Sequence, residues 1–146
     1  NTEQKKKLER AEARRIKDIA ESLANCVKEM NDVNFIGEIV PLENVDQLKK
    51  LASELKSRVK NYFFALGARS EGKAYFILYL DKDLFDKKTI EPLAIFEKVK
   101  GYFDGKGGGK DLISSTGSNP EGLGKAIEEV GRRVREYVYG IEDLGD

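Results

Sequence analysis

Two lysines are set into a block of glycines in the run Gly105-Lys106-Gly107-Gly108-Gly109-Lys110. Glycine tolerates positive φ, so backbone N–H groups in such a run can turn outward and approach a ligand closely. Outward N–H groups cradle phosphate oxygens, and the lysines supply point charges beside them. The same composition also suits a solvated hairpin or linker, since the pattern is short. Tyr102 stands just before the block, off the main apolar face of its predicted helix, and offers a ring on which an exposed base can stack. Its neighbour Phe103 reads as core. Lys98 and Lys100 add positive charge on the approach, and Ser115, Thr116 and Asn119 follow as hydrogen-bonding neighbours. Arg132 and Arg133, with Arg135, form a second basic group on the last predicted helix. A favourable interaction with that helix's dipole explains them equally well.

Catalytic chemistry finds little support. The chain has no histidine, which removes His-ligated metals, a neutral-pH imidazole base and the Ser-His and Cys-His nucleophile pairs. Ser114, Ser115 and Thr116 are hydroxyls without a base. Asp81, Asp83 and Asp86 cluster, but Lys82, Lys87 and Lys88 interleave with them, and a calcium loop's glycine and terminal glutamate are missing, so a solvated turn is expected and no metal site. Cys26 is the single cysteine; it forms no internal disulfide, and a reducing, cytoplasmic setting fits it. There is no apolar run of membrane-spanning length, so no membrane partner is expected. With 26 basic and 26 acidic residues the whole-molecule field does not announce a nucleic-acid binder. No DNA partner is expected, and any basic footprint must be local.

The elements that position these residues follow from periodicity. Thr2 to Met30 reads as one long helix, with Ile16, Ile19, Leu23, Cys26 and Met30 at 3-4-3-4 spacing. That seam packs either on the domain's own body or on a second chain. The lysines and arginines of its first half alternate with Glu3, Glu9 and Glu12, the pattern of a solvated face. Val33 to Val40 reads as a strand. Asn44 and Gln47 suggest a capping box for a helix carrying Val45, Leu48, Leu51, Leu55 and Val59. Asn61 to Leu66 and Lys73 to Leu80 form a hairpin pattern around residues 68–72. Thr89 to Phe103 reads as a helix with Pro92 in its first turn, Leu112 to Thr116 as a strand, and Asn119-Pro120 as the opening of a final amphipathic helix. The acidic tail after Gly140 is expected to fray. The order is α-β-α-β-β-α-β-α. It predicts an α/β (α+β) body: a long N-terminal helix, then a mixed sheet with helices on one face. The boundary falls near Asn31, separating a helical linker or dimerisation segment, residues 1–31, from a globular domain, residues 32–146. The start at Asn1, without methionine and on a charged stretch, is that expected of a piece of a longer polypeptide.

The succession of helix, glycine block ending in a basic residue, short strand, glycine turn and last helix resembles the DHH-associated domain. That domain ends alanyl-tRNA synthetases and occurs in certain phosphoesterases. The likeness runs from about Phe35 to Val138, and the version here is most similar to that of bacterial alanyl-tRNA synthetases. Two departures are visible: Lys106 interrupts the glycines, and Leu112-Ile113-Ser114-Ser115 stands where the family more often has a Met-Ala-Gln stretch.

The resemblance implies a non-catalytic, tRNA-binding segment. It would recognise the tRNA elbow, of an alanine tRNA in particular, bring aminoacylation and editing modules onto one tRNA, and promote a homodimer. It implies ATP, Mg and Zn for the parent ligase and no cofactor for this segment. By motif match the RNA contacts fall on Gly105, Lys106, Gly107, Gly108, Gly109 and Lys110, with Ser115, Thr116 and Asn119 beside them. Two alternatives remain: the substrate-binding half of a DHH-type phosphoesterase, whose usual histidine is replaced here by Lys110, and a plain oligomerisation module.

Overall fold

The computed structural model describes residues 1–84 and 90–140. Helix α1 (Thr2–Ala24) is followed by a three-residue strand β1 (Lys28–Met30), β2 (Val33–Ile39), α2 (Val45–Lys56), the hairpin β3 (Tyr62–Ser70) and β4 (Lys73–Leu80), α3 (Pro92–Val99), β5 (Gly105–Gly109), β6 (Leu112–Gly117) and α4 (Leu123–Tyr139). Short 3-10 turns, Lys100–Phe103 and Pro120–Gly122, lead into β5 and α4. The six strands make one mixed sheet in the order β1-β2-β3-β4-β6-β5, with β2 and β3 parallel and the other neighbours antiparallel. Asp86, Lys87, Lys88 and Thr89, and the acidic tail beyond Gly140, lie outside the described residues.

The mixed α/β class and the leading helix match the sequence reading. The helices, however, cover both faces of the sheet. In β3, Phe63 and Ala65 point into one apolar cluster and Phe64 and Leu66 into the other; in β4, Phe76 and Leu78 oppose Ile77 in the same way. Successive strand residues face opposite sides, so two buried faces require a continuous apolar run. One cluster is closed by α3 and α4 through Phe96, Val99, Leu123, Ile127, Val130 and Val134. The other is closed by α1 and α2 through Ile16, Ala20, Leu23, Leu48, Leu51 and Leu55.

Helix α1 is shorter than its periodicity suggested. It ends at Ala24 with Asn25 as C-cap. Lys28 to Met30 turns back as an edge strand paired with Val33–Phe35, through Asn31 in the left-handed conformation. Asparagine adopts that conformation more readily than most residues. Met30 is therefore buried on β1, in the cluster opposite the helix seam. Cys26, which the spacing places on the seam, is exposed beyond the helix end. Ile16 and Leu23 are buried, and Ile19 is half-buried, against the chain's own α2 layer. Polar ties hold α1 to α2 and to the segment before it: Lys50 Nζ lies 2.8 Å from Glu12 Oε1, and the Arg15 guanidinium donates to the Pro41 carbonyl. The hydrogen bond from Lys50 holds the Glu12 carboxyl below the usual range.

Helix α2 starts as its cap residues dictate. Asn44 Oδ1 accepts from Gln47 N at 2.8 Å, and the Gln47 side chain accepts from Glu43 N at 2.6 Å. The reciprocal bond thus reaches one residue further back than in a standard capping box. The β3–β4 connection is a two-residue turn, Glu71-Gly72, with φ of 50° and 75°. Both central residues at positive φ match the twist of the flanking strands.

Candidate nucleic-acid interface

The glycine block is a strand rather than a free loop. Gly105 to Gly109 pairs residue by residue with Gly117 to Ile113 of β6, and β5 forms one edge of the sheet. Glycine has low strand propensity, so its partner must impose the conformation. Close packing explains much of the glycine content. A Cβ at Gly107 would lie 2.0 Å from the Ser114 carbonyl oxygen, and one at Gly109, where φ is 149°, would lie 2.0 Å from that of Leu112. At Gly105 the Phe103 ring takes the space, 2.4 Å from a Cβ; at Gly117 the Phe103 carbonyl oxygen would stand 2.1 Å from a Cβ and its ring 2.6 Å. Phe103 is fully buried against Phe76, 5.3 Å between ring centroids. Among the described residues nothing lies within 4 Å of a Cβ at Gly108, so their packing does not require a glycine there.

Lys106, Gly107, Gly108, Gly109 and Lys110 are exposed, whereas Gly105 is buried. Among the described residues neither Lys106 nor Lys110 has an ion pair. The two carboxylates flanking the strand are engaged locally: Asp111 Oδ1 accepts from Leu112 N at 3.1 Å, and Asp104 Oδ2 from the Ser118 hydroxyl at 3.4 Å. An edge strand leaves alternate backbone N–H and C=O groups without ladder partners. The exposed edge thus offers hydrogen-bond donors and two lysine cations, a combination suited to phosphate.

The other sequence-predicted residues divide between this surface, the core and a second site. Thr116 is exposed and lies directly across from Lys106. Ser115 faces the opposite way: it is 3% exposed, and its hydroxyl donates to the Phe76 carbonyl at 3.3 Å. Strand alternation decides between these neighbours, and the sequence placed them side by side without a register. Asn119 is half-buried and structural: its Nδ2 donates to the Tyr102 carbonyl at 3.2 Å, and its N–H to the Phe103 carbonyl at 3.2 Å. Those bonds fasten the start of the last helix to the turn before β5. Tyr102 itself is 42% exposed.

Arg132 and Arg133 lie on α4, which covers the opposite face of the sheet from α1 and α2. Arg132 bonds Glu129 and Glu136, and Arg133 Nε sits 3.2 Å from Glu129 Oε1. Chiefly through the Arg132 hydrogen bond, the Glu129 carboxyl is held below the usual range. Arg132 and Tyr102 line one groove of about 610 Å³, with Lys28 and Arg135. Sequence reading missed Lys28, because β1 was absorbed into the predicted first helix. Among the described residues no cluster of His, Cys, Asp or Glu has metal-binding geometry, and no helix is long and apolar enough to cross a membrane.

No family model matches the chain. It is 30% identical over 130 residues to the alanine–tRNA ligase of Christiangramia forsetii, covering 88% of this chain and 15% of that protein. It is 31% identical over 132 residues to the alanine–tRNA ligase of Lactobacillus johnsonii, covering 90% and 15%. The chain thus spans about 15% of the length of these relatives. Among solved structures, the C-Ala domain of Aquifex aeolicus alanyl-tRNA synthetase superposes with a TM-score of 0.62 at 21% identity, over 77% of this chain and 96% of that one. A DHH-domain protein, described as belonging to a family of ribosomal proteins, superposes with a TM-score of 0.56 at 10% identity, over 84% of this chain and 31% of that one.

Proposed function

We propose that this chain, homologous in sequence to a segment of the alanine–tRNA ligases and sharing the fold of their C-Ala domain, is a non-catalytic tRNA-binding segment of such a ligase. The observation that carries this reading is the exposed edge strand β5, with open backbone donors and two lysines that have no ion pair among the described residues, in a chain with those relatives. Lys106, Gly107, Gly108, Gly109 and Lys110 take the phosphate backbone, and Thr116 adds a hydroxyl. The target is the tRNA elbow, whose exposed bases and folded backbone present shape as well as charge. Joining aminoacylation and editing on one alanine tRNA, in the cytoplasm, is the task this segment serves in the parent ligase.

Contacts with about 3–5 phosphates give a log–log salt slope near −2 to −4. The test is a salt titration of fluorescent alanine tRNA, of the same tRNA with its D- and T-loops disrupted, and of an unstructured RNA of equal length. Tighter binding of the intact tRNA supports elbow recognition. Equal and steeply salt-dependent binding of all three leaves general cation–phosphate attraction and removes the elbow from the reading.

Dimerisation is the second part of the proposal. Of the seam read as packing either on the chain's own body or on a second chain, Ile16 and Leu23 are buried against the α2 layer, so self-association would use the exposed first half of α1, where Leu8 is 72% exposed. Sedimentation of the wild type and of Leu8→Glu tests it: a monomer in both refutes it.

A further inference from the structure

The strand register brings three chemically distinct side chains into one row. Tyr75 of β4 stands opposite Thr116 of β6, and Thr116 stands opposite Lys106 of β5. Successive residues on a strand alternate faces, so all three project from the same face of the sheet. It is the α1–α2 face, because Tyr75 packs against that cluster. The next row on that face is Ile77, Ser114 and Gly108. Ile77 is buried in the α1–α2 cluster, whereas Gly108, Lys106 and Thr116 are exposed. Helix α2 packs over β3 and β4 and touches β6, and it leaves a shelf where Thr116 of β6 and Lys106 and Gly108 of β5 are exposed.

The shelf has a defined chemistry. Its inner wall is the half-buried Tyr75 ring, held on one side by the core. Its floor is Gly108, with open space where a Cβ would be, and the half-buried Ser114. Its outer rim is Lys106, two inter-strand spacings or about 10 Å from Tyr75 between Cα atoms. Lys73, two residues from Tyr75 on the same strand and the same face, is exposed and adds a second cation without an ion pair among the described residues. An aromatic wall, hydroxyls that donate or accept, and cations at the rim match a nucleotide: a planar base against the ring, hydroxyls on its edge, phosphate at the lysine.

The geometry points to a nucleobase subsite on this shelf, in which one unstacked base of the bound RNA lies on Tyr75 while Thr116 and Lys106 hold its edge and its phosphate. The inference rests on the tRNA-binding reading of β5 and adds the residue that contacts a base. It moves base recognition from Tyr102, on the turn before β5, to β4.

The chain contains no tryptophan, so Tyr75→Trp places a single indole at the wall while keeping an aromatic ring. The probes are a single-stranded oligoadenylate and an abasic phosphodiester of the same length. Oligoadenylate should quench the indole and the abasic chain should not. Gly108→Val, whose Cβ meets no described atom within 4 Å, should abolish the quenching. Tyr75→Ala should weaken oligoadenylate binding by about 5- to 150-fold, the range measured for base–aromatic stacking, and leave abasic binding unchanged. If oligoadenylate binds, as followed by its own anisotropy, and the indole at 75 does not respond, the subsite is refuted and backbone binding stands. If neither tRNA nor oligoadenylate binds, both readings fall.

Discussion

Replacing Gly107 and Gly108 separately by alanine separates packing from binding at the glycine strand. A Cβ at position 107 would sit 2.0 Å from the Ser114 carbonyl oxygen and 2.8 Å from the Ser115 Cα. Close carbon–oxygen contacts between adjacent strands run at about 3.3 Å, so the pair must open by about 1.3 Å. Overpacking of this kind costs about 1–3 kcal/mol. Because β5 is an edge, the strand can also peel away, which caps the cost at the value of its pairing with β6. For a chain of this length each kcal/mol moves the melting temperature by about 2–4 °C, so Gly107→Ala should lower it by about 2–12 °C. A Cβ at position 108 meets nothing within 4 Å among the described residues. Gly108→Ala should therefore leave the melting temperature unchanged or raise it, since alanine restricts the unfolded chain by about 0.4–1 kcal/mol. Thermal unfolding followed by circular dichroism decides. Equal melting temperatures, or a lower one for Gly108→Ala, would refute the strand register and the packing explanation of alternate glycines.

Four further outcomes follow from the same geometry. Phe103→Ala should cost about 3–5 kcal/mol in chemical denaturation, because the ring is fully buried against Phe76 and fills the space beside Gly105 and Gly117. Asn44→Ala should cost about 0.5–2 kcal/mol by the same assay, through loss of the Gln47 N–H bond at the start of α2. The Glu129 carboxyl is depressed mainly by Arg132, so its contribution is complete above the ordinary carboxylate value of about 4.3 and is lost as pH falls through the lower folded value. The stability difference between wild type and Arg132→Ala should accordingly be full at neutral pH and shrink in strong acid, as read by paired melts. Tyr62 behaves in the opposite sense: burial, then a hydrogen bond with Tyr79, raises its phenol, so its contribution is complete below about pH 10 and fades as pH rises further. Alkaline spectrophotometric titration should find at least one of the six tyrosines ionising late.

Long, strongly patterned elements were legible from residues alone. Helix α2 followed from Asn44 and the Leu48-Leu51-Leu55 stripe, and α4 from Leu123 to Val134. Two strands were not. Lys28-Glu29-Met30 continues the helical spacing of α1, and the reversal at Asn31 depends on pairing with β2. The strand character of Gly105 to Gly109 comes from β6, since glycine side chains carry no periodicity. Coverage of both sheet faces was present in the sequence as the unbroken run Phe63-Phe64-Ala65-Leu66, which alternation with one wet face cannot produce. For the candidate site, residue types in the glycine block indicated phosphate chemistry. Which of Ser115 and Thr116 faces outward required the register with β4 and β5.

The composition of β5 also constrains how this surface can diversify. Four of its five residues are glycine, and at Gly107 and Gly109 any larger side chain collides with the neighbouring backbone. A selected change of preference therefore has few places to act along that strand. Lys106 and Gly108 are the two open positions, and the remaining variation must come from the β4 and β6 residues that border them. Descendants of this domain can retune what the surface accepts through Tyr75, Ser114 and Thr116 while its outermost strand stays nearly fixed, so drift should concentrate one and two strands inward from the contact it alters.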